Sequence, residues 1–152
     1  MKIIYLIIMI LMLNLTYSQS KSETIEYIND KLKTHSSLAN GHYEIEVSKY
    51  GNMSLHSYDK SSFSQTNDDL HFIEIFDFID INIKSKVGII NDEEYYEILF
   101  ECKDSNDCVS LKAVHNNYSR SAKWTYIGIN NKKVFLSLLE KFKYLKKISS
   151  KI

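Results

Sequence analysis

Residues 95–115 read YYEILFECKDSNDCVSLKAVH, and the fold turns on what this stretch does. Tyr96, Ile98, Phe100 and Cys102 alternate with Glu97, Leu99 and Glu101, and Val109, Leu111 and Ala113 alternate with Ser110 and Lys112. That is the period-two pattern of strands with one buried face. Lys103-Asp104-Ser105-Asn106-Asp107, between the two runs, has turn-forming composition. The spacing predicts a hairpin with a cysteine at each end of its loop and the rest of the chain arranged to cover it. The faces of that hairpin do not agree. Apolar positions are even-numbered before the loop and odd-numbered after it, whereas a directly opposed Cys102 and Cys108 would place residues of like parity on one face. Either one residue bulges, or Cys108 lies in the loop outside the ladder.

Working outward toward the carboxyl end, the polar turn 116–121 precedes a last strand, Ala122–Ile129 (AKWTYIGI). Asn130 or Asn131 then caps a helix whose apolar stripe is Val134, Phe135, Leu138, Leu139, Phe142 and Leu145. Toward the amino end, Leu70–Ile83 (LHFIEIFDFIDINI) reads as one long strand or two short ones with a bend near Asp77, because its apolar positions change parity. Val87–Ile90 reads as a short strand, and Asp59–Asp69 as a long polar surface loop. Ile45 and Val47 alternate with Glu44 and Glu46, as Met53 and Leu55 do with Ser54 and His56. A three-residue Tyr50-Gly51-Asn52 loop keeps these apolar sets on one face; it opposes Val47 to Leu55 and His56 to Glu46. Before them, Ser20-Lys21-Ser22-Glu23 has the spacing of a capping box. Ile25, Ile28 and Leu32 follow at helical spacing, predicting a helix of about three turns that ends before Ser36.

The chain of 152 residues is long enough for one domain with a real core. Lys2, the apolar run Ile3–Leu13 and Thr16-Tyr17-Ser18 before Gln19 predict a signal peptide over 1–18, cleaved at Ser18/Gln19, and a single α+β domain over 19–152. The run is about half the length needed to span a bilayer. Export to a periplasmic or secreted location implies an oxidising compartment, and there Cys102 and Cys108, the only cysteines, are expected to form a disulfide. Formal charge is zero but uneven: residues 19–131 hold 11 Lys plus Arg against 18 Asp plus Glu, and residues 132–152 hold seven Lys against Glu140. Lys141, Lys143, Lys146, Lys147 and Lys151 crowd the last helix and read first as a solubilising face, with a weak, salt-sensitive contact to an anionic surface through Lys141, Lys143, Lys146 and Lys147 as the alternative.

The resulting order is a helix, about seven antiparallel strands forming a curved sheet or barrel, and an amphipathic helix. On layout, the cysteine-flanked stretch and the apolar-basic last helix, the chain resembles small exported bacterial proteins of uncharacterised function with a pleckstrin-homology-like barrel. That resemblance implies a final helix plugging one open barrel end. A leading helix wrapped by a curved sheet also occurs in cystatin-like and nuclear-transport-factor-like folds.

No residue set reads as a catalytic signature. His35, His42, His56, His71 and His115 are scattered, and Asp104, Asn106 and Asp107 lack the glycine and distal glutamate of a helix-loop-helix calcium site. Glu93, Glu94, Glu97 and Glu101 read as a solvated edge, and Tyr95, Tyr96, Trp124 and Tyr126 as core or half-exposed strand residues. The sequence therefore points to an exported binding or interaction protein that is not an enzyme and needs no metal or other cofactor. Its expected partner is a protein or envelope component and not a nucleic acid. A carrier of a small apolar ligand inside the barrel is the alternative, and a hydrolase the third.

Overall fold

The computed structural model describes residues 21–38, 41–59, 70–90, 93–104, 106–115 and 117–149. The expected signal peptide, Ser20 of the capping box, residues 60–69 of the polar loop and Lys151 lie outside them. Helix α1 occupies 21–35 of the described chain. Eight antiparallel strands follow: β1 (Gly41–Val47), β2 (Asn52–Asp59), β3 (Leu70–Asp77), β4 (Ile81–Ile90), β5 (Glu93–Cys102), β6 (Val109–Ala113), β7 (Ser119–Ala122) and β8 (Trp124–Ile129). Helix α2 (Lys132–Ser149) ends the described chain.

The strands divide into a five-stranded sheet, β1-β2-β3-β6-β7, and a three-stranded sheet, β4-β5-β8. The α+β class and both helices are as expected. Among the described residues, however, the sheet is not closed into a barrel, and eight strands stand where about seven were expected. The expected hairpin is absent as well. Both edges of β5 are taken, by β4 and by β8, and those of β6 by β3 and β7. Residues 103–108 thus carry the chain from one sheet to the other. The parity conflict dissolves for the same reason: even positions of β5 and odd positions of β6 point into one core from opposite sides. Cys108 stands outside both ladders, and its disulfide to Cys102, with Cα atoms 5.7 Å apart, ties the two sheets together.

Two further crossings explain other boundaries. The parity change within residues 70–83 is a corner: β3 ends at Asp77 and β4 starts at Ile81. That second strand runs on through Ile90, so no separate Val87–Ile90 strand exists. Ala122–Ile129 likewise splits at Lys123, where the chain passes from β7 to β8. All three crossings meet at the disulfide end: the Cys102 N–H donates to Lys123 C=O (2.8 Å) and the Lys103 N–H to Asp80 C=O (2.8 Å).

The β1–β2 turn keeps the expected parity but moves along the chain. Ile45 opposes Leu55, Val47 opposes Met53, and His56 opposes Glu44 in place of Glu46. The loop is Lys49-Tyr50-Gly51, closed by the Ser48 N–H on Asn52 C=O (2.9 Å), and Gly51 takes the positive φ of 90° that the shifted turn requires.

The core fills the space between the sheets. Ile45, Met53, Leu55, Phe76 and Val109 of the larger sheet meet Ile81, Ile98, Phe100, Ile127 and Ile129 of the smaller. Helix α2 adds Phe135, Leu138, Phe142, Leu145 and Ile148, with the Phe142 ring edge-on to Phe100 at 5.2 Å. Asn131 is its N-cap: the side-chain oxygen accepts from the Val134 N–H at 3.1 Å. Helix α1 adds Ile28 and Leu32 and spans two sheet edges. The Asn29 amide donates to Ile45 C=O (3.0 Å) and accepts from the Ile45 N–H (2.8 Å), completing the free edge of β1. At its other end Ser36 bridges Ile129 and the Ser37 N–H donates to Gly128 C=O (3.0 Å), which covers β8.

Candidate functional site

The outer face of the three-stranded sheet is set by alternation. On β8, Thr125, Ile127 and Ile129 are buried, so Trp124 and Tyr126 must face away from the core. On β5, the buried Tyr96, Ile98, Phe100 and Cys102 leave Tyr95, Glu97, Leu99 and Glu101 outside. Register then builds rows across three strands: Asn82, Glu101 and Trp124; Lys84, Leu99 and Tyr126; Lys86, Glu97 and Gly128. Trp124 is 54% and Tyr126 42% exposed, with ring centroids 6.0 Å apart and tilted by 34°. Lys84 pairs with Glu101 and Lys86 with Glu97, the latter at 3.4 Å. The Glu97 carboxylate, accepting from Lys86, holds that ammonium above the usual lysine range. Lys86, Glu97, Leu99, Glu101, Trp124 and Tyr126 line an open groove of about 410 Å³.

The inner face of the larger sheet offers a second groove. Ser57, Phe72, Leu111, Tyr118 and Arg120 line about 530 Å³ of open space. In the next row Glu74 stands between Leu55 and Leu111, with Arg120 beyond Leu111. Burial pushes its carboxyl up, against the smaller opposing effects of the Thr125 hydroxyl that donates to it and of Arg120. Thr125 belongs to the other sheet, so this hydrogen bond crosses the core.

Three of the scattered histidines come together on the outer face of β1–β2–β3. Tyr58 stacks on His42 (centroids 4.7 Å) and on His71 (4.3 Å), and His56 Nδ1 lies 3.0 Å from His71 Nε2. Burial, then the nearby His56 and His115, push the His71 imidazole pKa down. Among the described residues His56 Nε2 is buried without a hydrogen-bond partner, and no group of three or more His, Cys, Asp or Glu is arranged to hold a metal ion.

The basic residues of α2 do not share one environment. Lys143 and Lys147 are exposed. Lys141 lies over the Tyr27 ring at 5.6 Å, and Lys146 donates to the backbone of Ile81, where burial lowers its pKa. Sequence reasoning placed Trp124 and Tyr126 among core or half-exposed residues. The isoleucines on alternate β8 positions were the signal that puts both rings outside. No helix among the described residues is long and apolar enough to cross a membrane. No family model, curated protein or solved structure matches the chain.

Proposed function

We propose that this chain is an exported, non-catalytic binding protein whose working surface is the outer face of β4–β5–β8. The exposed Trp124–Tyr126 pair carries the reading: on a chain with one tryptophan, more than half of that side chain is left in water beside a second ring and Leu99. A contiguous exposed apolar patch rimmed by polar side chains, as Trp124, Tyr126 and Leu99 form beside Lys86, Glu97 and Glu101, is the usual mark of an interaction site. Export is supported by the signal-like start and by the disulfide, which persists in oxidising compartments. The binding reading is favoured over the hydrolase because the buried carboxyl of Glu74 is engaged structurally by the Thr125 hydroxyl.

The test is retention of native envelope material by the immobilised mature protein and by Trp124→Ala. Material held by the first and released by the second supports the reading, and equal retention overturns it. The groove beside Arg120 favours a second reading, a carrier of a small apolar ligand with an acidic head. Displacement of a fluorescent fatty-acid analogue, lost in Arg120→Gln, would favour it.

A further inference from the structure

From the geometry of this face we infer that its ligand is a neutral oligosaccharide lying along β8 over the two rings. The inference rests on the binding reading above and names the ligand class. Two rings of unequal polarity sit in adjacent rows at a 6.0 Å centroid spacing on an open surface. A pyranose ring presents one such apolar face of C–H groups, which stacks on indole and phenol rings, and hydroxyls around its rim.

Those hydroxyls need donors and acceptors side by side, because each is both. The face supplies them in pairs. Lys84 with Glu101 and Lys86 with Glu97 each set an ammonium beside a carboxylate, and Asn82 adds an amide in the Trp124 row. A vicinal diol can give one hydrogen bond to the carboxylate and take one from the ammonium.

The charge count selects against other ligands. In the three rows two lysines stand against two glutamates and leave no cationic excess, whereas a polyanion such as nucleic acid requires an excess of Lys and Arg. A protein interface would place its charges at the rim, and here Glu97 and Lys86 adjoin the apolar centre. An open groove also suits a chain that enters and leaves at both ends better than an enclosed small molecule.

The test uses the oxidised mature protein and its single tryptophan, whose emission is that of the platform alone. Linear hexasaccharides of glucose, xylose and N-acetylglucosamine are titrated separately, beside tetramethylammonium and a polyphosphate. A saturable change in emission with at least one hexasaccharide, and none with the two ions, is expected. Glu101→Gln should weaken it about tenfold, equivalent to about 1.4 kcal/mol, the scale of a hydrogen bond to a charged group. Tyr126→Ala should weaken it further with an unchanged unfolding midpoint, since the side chain points outward. Calorimetry on Trp124→Ala should show no binding. If no hexasaccharide binds, or the ions bind instead, the saccharide inference falls. In that event Trp124-dependent retention of envelope material would leave the binding reading standing, and Trp124-independent retention would remove both.

Discussion

Glu74 occupies a position that period-two alternation assigns to the core, between Leu55 and Leu111, and its carboxyl is pushed up chiefly by burial. A carboxyl raised in the folded state favours folding below its unfolded pKa of about 4.5 and loses that contribution as pH rises through the folded value. Glu74→Gln should therefore raise the unfolding midpoint at pH 7 to 8 and have little effect near pH 4; a lower midpoint at neutral pH would contradict this. His71 has the opposite sign. Its folded pKa lies below the ordinary 6.5, so its stability contribution is complete above that pH and is lost as pH falls through the depressed value. His71→Gln should flatten the fall in midpoint between pH 7 and 5, measured against the parent. Gly51 shows the third kind of single-residue constraint. Its φ of 90° suits only glycine, and an added Cβ would stand 3.1 Å from the Ser149 carbonyl oxygen. Gly51→Ala should cost about 1–2 kcal/mol from backbone handedness alone, read as a shift in denaturant midpoint.

Elements were legible where one face of one segment decided them. The stripe Phe135, Leu138, Phe142 and Leu145 predicted α2, and those residues are buried in the core. Leu138→Ala should accordingly cost about 2–5 kcal/mol and lower the melting temperature sharply. The two strands flanking the cysteines were also legible, as was the corner after Asp77, from their alternation. Their pairing was not. Alternation reports which side of a strand is buried and is silent on which neighbour fills its hydrogen bonds, so adjacency in sequence suggested a hairpin that β4 and β8 in fact pre-empt. The outer face of β4–β5–β8 was partly legible for the same reason. Trp124 and Tyr126 alternate with Thr125 and Ile127, but the ion pairs beside them depend on cross-strand register.

In the whole molecule the disulfide has a larger role than a clip on one loop. Its closed loop spans a sequence separation of six residues, yet it joins the last residue of β5 to the entry of β6 in the other sheet. The chain-entropy account gives about 2 kcal/mol for so short a ring. Replacing both cysteines with serine should cost about that much. Mass spectrometry of the parent should find it two hydrogens lighter than its reduced form. Because the crossings interleave the sheets, neither is a separable unit. Amide hydrogen exchange should find β2 and β5 opening with one common free energy, and two distinct values would refute that.

The third crossing, at Lys123, has a consequence in time. Strand β8 pairs with β5 across more than twenty residues of sequence, and only then does α2 follow to cover both. A chain delivered amino end first would have β1, β2 and β3 paired while their apolar faces still lacked the opposite sheet and final helix. Assembly would finish only when the last segment arrives, so a chain emerging in that order passes through a half-built, association-prone form that benefits from an escort.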